Sequence, residues 1–388
     1  MSEKLYYIDP YMSHFTATVL SCTQDNKGFA TVLDRTAFYP EGGGQPCDIG
    51  FLTVAEDSIE VFDVGEKDGE IVHHTSMPLP VGEMVSGDID FQRRFDHMQQ
   101  HTGEHIFSGV VHTLFGYDNV GFHLGEKDVV VDFNGAMTAE DVRAVQDRAN
   151  EIVWLDQKVS ATFPDNVKEL TYRSKKELSG KIRIVTAGDA DVCACCGTHT
   201  SSTAQCGPIV AVNFAAYKGG VRINILSGRR AVDFLMERNH DCYAISHALS
   251  SPLDKITLAL QSRMEETDSL KLELSEAKKQ LMEYWAAQAE AKNNLCVFEK
   301  AGLNGTELQN LCLMLSKKAG TAIVFTSPEK GSSKLCIIST VFDTNRLGKH
   351  ITANLGGKGG GKPGIFQGFI ETPTDCEALR GIVSSYSE

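Results

Sequence analysis

Two pairs of histidine and cysteine residues have a spacing that metal-binding proteins use. His101 and His105 are four positions apart, and residues at i and i+4 of a helix lie on one face, where two imidazoles can bind one ion. Cys195 and His199 form a second pair with the same spacing. Three imidazoles and one thiolate suit Zn²⁺, which prefers tetrahedral nitrogen and sulfur ligands. The sequence therefore predicts a zinc site made of these four residues.

The spacing leaves part of the ligand assignment open. His97 precedes His101 by four positions, but two such steps turn the helix by about 80° in total, so the three rings do not converge easily on one ion. Three further cysteines lie near Cys195, namely Cys193, Cys196 and Cys206. The first two form a CxxC pair of their own, and the spacing alone does not decide which thiol is the ligand.

The first histidine pair also matches a motif with different chemistry. Glu104 makes residues 101–105 an HxxEH sequence, the inverted zinc-peptidase motif, in which the glutamate is the general base. A second pair made of cysteine and histidine is not the ligand set expected of such a peptidase. Glu104 is therefore a candidate catalytic base or, alternatively, a solvent-exposed carboxylate of the helix.

Charge and composition limit the classes of function. The chain has 388 residues, which suggests two or three domains, and its net charge of −14 means that nucleic-acid binding requires local basic patches. Its 11 cysteines are odd in number and crowd near residue 195, which favours a metal site in a reducing compartment over a disulfide framework. Since we find neither a run of about 18 apolar residues nor a signal-peptide pattern, we expect a cytoplasmic protein without a membrane span.

Residue patterns predict an α+β protein with four regions. Residues 1–90 contain short β-rich stretches separated by turns, which predicts a small β-barrel or sandwich. Residues 91–235 combine helical and strand patterns and carry both metal-ligand pairs, so we predict an α+β domain there. Residues 236–294 are predicted to form a helical arm. Residues 295–388 are predicted to form an α/β domain with a glycine-rich loop at 356–364.

The helical arm carries an apolar seam within residues 252–292. Its members are separated by alternating steps of three and four or their multiples: Leu253, Ile256, Leu260, Thr267, Leu270, Leu274, Ala277, Leu281 and Tyr284. This is a heptad pattern, interrupted by Arg263. An arm packed on its own chain and the coiled coil of a homodimer both fit the pattern, because a seam does not identify its partner.

Three ordered segments resemble a known family. FYPEGGGQP at 38–46, HTGEH at 101–105 and CCGTH at 195–199 occur in this order in the alanyl-tRNA editing proteins (AlaX family) and in the matching editing domain of alanyl-tRNA synthetase. GGVRI at 219–223 resembles the strand that follows there. The glycine-rich loop is similar to that of the DHH-associated C-terminal domain of long editing proteins. The resemblance covers nearly the whole chain, with one departure at Cys196, where the family usually has glycine.

The resemblance implies a zinc-dependent hydrolase that deacylates mischarged Ser-tRNA(Ala) in trans, with Gly-tRNA(Ala) as a second candidate substrate. It makes residues 91–235 the zinc-binding editing domain and residues 295–388 the DHH-associated domain. No aminoacylation domain precedes residue 1, so charging activity is not expected. A small synthetase pocket rejects an added hydroxyl poorly, which is why a separate editing site is needed. The alternatives are an HxxEH zinc peptidase and a non-catalytic, zinc-stabilised tRNA-binding dimer.

The resemblance also implies roles for polar residues of the first region. We expect Thr36 and Gln45 to line the catalytic pocket and to hydrogen-bond the serine hydroxyl, although an ordinary strand threonine and a turn glutamine are the alternatives. Gly43 and Gly44 would let the backbone approach the terminal adenosine closely.

Several basic residues are predicted to contact the tRNA. The densest patch comprises Arg173, Lys175 and Lys176, with Lys181 and Arg183, and would contact acceptor-stem phosphates. Arg222 is also predicted to contact the tRNA. Lys358 and Lys362 of the glycine-rich loop would contact the tRNA body with the help of backbone N–H groups. Solvated surface charge and a structural turn are the alternatives.

The predicted zinc site has one difficulty. Four protein ligands describe a closed, structural site, whereas catalytic zinc sites keep a position open. A loose ligand, expansion to five ligands and a purely orienting zinc are three solutions that the sequence leaves open.

Overall fold

The computed structural model of the protein describes residues 2–174, 181–328 and 331–386. These residues form two compact units, Met1–Ile245 and Ser246–Glu388. Both units combine helices with sheets, so the predicted α+β class is confirmed. Within the described ranges, no helix combines the length and the apolar composition that crossing a lipid bilayer requires.

The first unit begins with a closed barrel of six antiparallel strands in the order β2-β3-β7-β6-β5-β8. Its elements are β1 (Glu3–Lys4), α1 (Leu5–Ile8), β2 (His14–Gln24), β3 (Phe29–Leu33), β4 (Arg35–Thr36), β5 (Gly50–Val54), β6 (Asp57–Lys67), β7 (Glu70–Thr75) and β8 (Met84–Ile89). Alternate side chains point inward, so Leu33, Leu52 and Ile71 are fully buried in the barrel core. The prediction of a small barrel is confirmed.

The second half of this unit is built around one long, largely buried helix. Its elements are α2 (Phe91–Phe115), β9 (Asn119–Leu124), β10 (Val129–Phe133), α3 (Ala139–Trp154), β11 (Val159–Thr162), β12 (Ile184–Ala187), β13 (Asp191–Ala194), β14 (Ile209–Tyr217) and β15 (Gly220–Ser227). Asp90 caps α2 by accepting a hydrogen bond from the Arg93 amide, and Gly116 ends the helix in the left-handed conformation. Thr138 and Asp141 form the capping box of α3.

The position of α2 brings the two predicted ligand pairs close together. The helix packs against α3, against the sheet β14-β15-β10-β9 through β15, and against the sheet β11-β12-β13 through β13. Its side chains Phe107 and Val110 share one core with Val131 and Ile223. Because β13 ends beside α2, the segment that follows β13 lies against the helix face that carries the histidines.

Two helices follow β15. They are α4 (Gly228–Leu249), within which the first unit ends, and α5 (Ile256–Gln288), which belongs to the second unit. Met282 and Ala286 of α5 are buried in the second unit. The predicted seam lies on another face of α5 and stays exposed, as the side chains of Leu270, Leu274 and Tyr284 show.

The second unit contains a five-stranded sheet in the order β16-β17-β18-β20-β19, with β16 and β17 parallel and the other pairs antiparallel. Its elements are β16 (Leu295–Glu299), α6 (Gly305–Ser316), β17 (Thr321–Phe325), β18 (Ser333–Ser339), α7 (Thr344–Leu355), β19 (Gly357–Gly360), β20 (Ile365–Ile370) and α8 (Cys376–Ser384). Alternate strand residues enter two separate cores, one against α5 and α6 and one against α7 and α8.

The glycine-rich segment differs from the prediction of a loop. Residues 357–360 form the edge strand β19, paired with β20. A Cβ at Gly359 would lie 2.5 Å from the ring of Phe366, so only glycine allows this close pairing. Lys358 therefore projects from a strand, and Lys362 lies in the turn that follows.

Candidate metal centre

Four side chains from α2 and from the segment after β13 converge in the first unit. One ligand atom from each of His101, His105, Cys195 and His199 lies within 4.8 Å of all the others. The His199 ring centroid is 4.5 Å from that of His101 and 4.7 Å from that of His105. The structure thus brings together the two pairs that the sequence predicted as ligands, although about ninety residues separate them.

The carboxamide of Gln45 holds the His101 ring. Gln45 Oε1 accepts the Thr198 backbone N–H at 3.1 Å, so the Nδ1 of His101, 2.9 Å from the same oxygen, must be a donor. This hydrogen bond leaves the lone pair of His101 on Nε2, which lies 3.3 Å from its partner Cys195 Sγ. Gly197 permits the arrangement, since a Cβ there would lie 2.2 Å from the His101 ring. Gln45 is therefore a positioning residue for the imidazole.

The His105 ring is held by a carboxylate that the sequence analysis missed. His105 Nδ1 donates to Asp191 Oδ2 at 2.8 Å, which leaves Nε2 facing the cluster. Arg173 donates two hydrogen bonds to the same carboxylate, from Nε to Oδ1 at 2.8 Å and from Nη2 to Oδ2 at 2.9 Å. Burial opposes the charge on Asp191, but the hydrogen bond from His105 and the fork of Arg173 outweigh it and lower the pKa of the carboxyl.

His199 gives the strongest indication that the cluster can bind a metal. The residue is 4% exposed, and neither of its ring nitrogens has a hydrogen-bond partner within the described ranges. Two unpaired buried polar atoms cost free energy unless something binds them. Burial lowers the pKa of His199 to about 3, so its lone pair is available at neutral pH. The donor set fits a zinc ion.

The thiol of Cys195 is suited to the same role. Burial alone would raise its pKa, but the neighbouring His101 and His199 overcome this effect and lower the pKa well below its ordinary value. The other nearby thiols have different surroundings: Cys206 donates to the Gln99 carbonyl, and Cys196 is exposed. Cys193 falls in a second group with His105 and Asp191. His97 is buried outside the four-residue cluster.

Two residues predicted as catalytic make other contacts. Glu104 is buried, not exposed, and accepts hydrogen bonds from Ser108, at 2.7 Å, and from Asn119. Thr36 ends β4 and is buried against the barrel strand β7, where its hydroxyl donates to His73 Nε2 at 2.8 Å and accepts the Phe38 amide at 3.1 Å. Its hydroxyl is satisfied there, so a contact with substrate would require giving up these hydrogen bonds.

Two of the arginines predicted to contact the tRNA, Arg173 and Arg222, form ion pairs within the first unit. Arg222 donates two hydrogen bonds to the Asp132 carboxylate, from Nε at 2.6 Å and from Nη2 at 2.7 Å, in the same geometry as the Arg173–Asp191 pair. Lys358 and Lys362 are exposed in the second unit. Lys175 and Lys176 lie outside the described residues.

The glycines before Gln45 remain accessible at the centre. Gly43 and Gly44 are exposed and both have positive φ angles, of 59° and 83°. A Cβ at Gly44 would lie 2.6 Å from Phe122, whose ring stacks on His101 at 5.0 Å between centroids. The turn therefore borders the face of the imidazole that Phe122 covers.

Three family models match separate parts of the chain. The model described as tRNA synthetases class II (A) matches residues 11–93. The threonyl and alanyl tRNA synthetase second additional domain matches residues 182–224, and the DHHA1 domain matches residues 292–387.

Curated relatives match nearly the whole chain. Alanyl-tRNA editing protein AlaX-L of Pyrococcus horikoshii is 29% identical, covering 96% of this chain and 95% of that protein. Alanyl-tRNA editing protein Aarsd1 of Mus musculus is 28% identical, covering 93% and 92%. Alanine–tRNA ligase of Pyrococcus abyssi is 32% identical over 98% of this chain, which spans 43% of the ligase.

Proposed function

We propose that this chain, which resembles the alanyl-tRNA editing proteins over nearly its whole length as its motifs predicted, hydrolyses the aminoacyl ester of mischarged tRNA(Ala). Ser-tRNA(Ala) is the proposed substrate, and Gly-tRNA(Ala) is the second candidate. One observation carries the proposal: three imidazoles and a thiol converge beside the exposed Gly43–Gly44 turn, and Gln45 and Asp191 hold the Nδ1 atoms of two of the imidazoles.

The proposed reaction is an ester hydrolysis. The oxygen of a water molecule forms a bond with the ester carbonyl carbon, and the bond from that carbon to the ribose oxygen breaks. The proton lost by the water ends on the ribose oxygen, which restores the tRNA hydroxyl and releases the free amino acid. The ester is an activated bond, so positioning and charge stabilisation suffice.

The metal would be held by His101, His105, Cys195 and His199. A bound zinc ion would supply Lewis acidity toward the ester or, if all four ligands close the site, would only orient the substrate. Gln45 and Asp191 each accept an Nδ1–H, and thereby present Nε2 of His101 and His105 toward the centre. The exposed Gly43–Gly44 turn offers backbone groups to the terminal adenosine. The engaged carboxylate of Glu104 does not favour the peptidase alternative.

Deacylation assays test this proposal directly. We expect hydrolysis of Ser-tRNA(Ala), slower or no hydrolysis of Ala-tRNA(Ala), and loss of activity with a chelator that is reversed by added zinc. Cys195→Ala should abolish single-turnover hydrolysis, whereas the control Cys242→Ala, a substitution of a thiol in α4, should not. Tight RNA binding without hydrolysis would favour the non-catalytic alternative, and activity independent of Cys195 would contradict the proposed centre.

A second copy of this chain is the proposed partner of α5. Leu270 and Leu274 of the seam are both 56% exposed, which does not favour an arm packed on its own chain. A second α5 matches the seam in length and in heptad period. Sedimentation should show a dimer that Leu270→Glu with Leu274→Glu converts to monomer. The off-seam control Leu272→Glu should stay dimeric, and a wild-type monomer would contradict the proposal.

The remaining basic residues are proposed to contact tRNA outside the centre. Lys175, Lys176, Lys358 and Lys362 would bind phosphates, and the fork of Arg222 would have to leave Asp132 to do so. Arg173 is better explained as the residue that orients Asp191.

A further inference from the structure

One buried arginine of the first unit has no acidic partner among the described residues. Among the arginines of residues 2–174 and 181–245, all but Arg93 and Arg183 lie within ion-pair distance of a carboxylate. Arg183 is also 6% exposed. Buried charges are normally paired, because removing an ion from water costs several kcal/mol. An unpaired buried guanidinium therefore indicates a site for an anion.

Arg183 lies directly behind the segment that carries the Cys195 ligand. Its Nη1 donates to the backbone carbonyls of Cys195, at 3.0 Å, and Gly197, at 2.8 Å. Its Nε is buried and has no partner among the described residues. These contacts use only part of the donor capacity of a guanidinium, which has five N–H groups.

Aromatic and basic groups surround this guanidinium. Its central carbon lies 4.9 Å from the ring centroid of Tyr7, and the ammonium of Lys4 lies 5.9 Å from the same centroid. Lys4 also pairs with Glu66 at 2.9 Å. We call Lys4, Tyr7, Arg183 and the exposed Cys196 the basic corner; Cys196 shows that solvent reaches this side of the centre.

We infer that the basic corner binds the phosphodiester that immediately precedes the terminal nucleoside of the substrate. This inference rests on the proposed function, in which the ester is attached to the terminal ribose. The nearest phosphate is then one ribose away from the ester, and Arg183 contacts the backbone of the ligand residue itself. Guanidinium groups bind phosphate oxygens through charge-assisted hydrogen bonds. In a chain with a net charge of −14, such a local cation is needed for RNA binding.

A purely structural role for Arg183 makes a different prediction. If the side chain only holds the carbonyls of Cys195 and Gly197, its loss changes the geometry of the centre but releases no counterion on RNA binding. Binding of a CCA-ended RNA minihelix, measured by fluorescence anisotropy over a salt series, separates the two roles. For Arg183→Gln we expect the slope of log Kd against log salt to fall by about 0.7, the value for one phosphate of a single strand. The control Arg148→Gln, on the surface of α3, should keep the wild-type slope.

Neutralising the RNA tests the same contact without a protein variant. We expect a methylphosphonate at the last linkage to weaken wild-type binding by about tenfold, as expected for one charged hydrogen bond. The same change in the distal stem should have less effect. In Arg183→Gln the last-linkage penalty should largely disappear. An unchanged salt slope, or equal penalties at both linkages, would overturn the inference. The deacylation assay distinguishes failure of this inference from failure of the proposed function. If Ser-tRNA(Ala) is hydrolysed but the methylphosphonate at the last linkage does not weaken binding, only the basic-corner inference is rejected. If the methylphosphonate weakens binding but no hydrolysis occurs, only the proposed function is rejected.

Discussion

Replacing Asp191 by asparagine tests whether His105 is held by a charge. The substitution keeps the shape of the side chain but removes the negative charge that both His105 and Arg173 contact. Asparagine can still accept one hydrogen bond. Its single acceptor oxygen cannot accept the two hydrogen bonds of the Arg173 guanidinium and that of the His105 imidazole together, as a carboxylate does.

The expected losses can be worked from the contacts. Loss of an orienting partner of a metal-ligating histidine typically weakens metal binding by about 10–100-fold, or about 1.4–2.8 kcal/mol. Removing one member of a buried ion pair costs about 3–5 kcal/mol of folding stability. Because the Arg173 side chain is 14% exposed, solvent recovers part of the lost interaction, and we expect a value near the lower limit.

Two measurements separate these effects. Competition with a chromophoric chelator gives the zinc affinity, and denaturant unfolding of the zinc-loaded and chelator-treated proteins gives the stability. Asp189→Asn is the matched control, because Asp189 is exposed two positions away and bonds Gln157. If Asp191→Asn binds zinc within twofold of the wild type, the carboxylate does not position His105 and the reasoning is wrong.

Three further predictions concern the barrel and its loop. Gln45→Ala should lower zinc affinity and kcat/KM by about 10–100-fold. Gln45→Glu keeps an acceptor for His101 and should recover much of the zinc affinity. Equal effects of the two variants would contradict a positioning role for Gln45. Thr36→Val should lower the stability by about 1–3 kcal/mol, because His73 loses its hydrogen-bond donor. The ratio of Ser-tRNA(Ala) to Gly-tRNA(Ala) hydrolysis should not change. A selective loss of activity on the serine ester would indicate that Thr36 does line the catalytic pocket. Burial lowers the pKa of His73 from 6.5 to about 4. As the pH decreases, the unfolded chain therefore takes up a proton before the folded protein does. The folding stability should decrease by about 1.4 kcal/mol per pH unit as the pH is lowered from about 6.5 to about 4. Unfolding at pH 6.5 and pH 5.0 should show this contribution in the wild type but not in His73→Gln, and the same pH dependence in both would exclude His73 as its source.

The residues of the centre were predictable where the spacing is local. The i, i+4 spacing of His101 and His105 follows from helix geometry. The same geometry predicted that the His97 ring does not converge easily with these two on one ion, and His97 lies outside the four-residue cluster. Asp90 and Gly116, which bound α2, are residue types that commonly start and stop a helix.

The residues that orient the imidazoles were not predictable in the same way. Asp191 is 86 positions from His105, and the sequence offers Asp189 as an equal candidate. One signal was available: Asp191 and Cys193 point to the same side of β13, and the same alternation continues to Cys195. The basic neighbours of Arg173 suggested that it contacts a phosphate, whereas in the structure it forms an ion pair with the buried carboxylate of Asp191. Such pairing depends on tertiary packing, which no local pattern specifies.

Gln45 has a consequence that reaches beyond the imidazole it holds. It belongs to the loop of the barrel, yet its hydrogen bonds join His101 on α2 and Thr198 after β13. Binding of the proposed metal would therefore be thermodynamically linked to the folding of the barrel, because a ligand that binds only the folded form stabilises every region that must be folded to bind it. Titration with zinc should accordingly shift the melting of the barrel and of the α2 region together, as one cooperative transition.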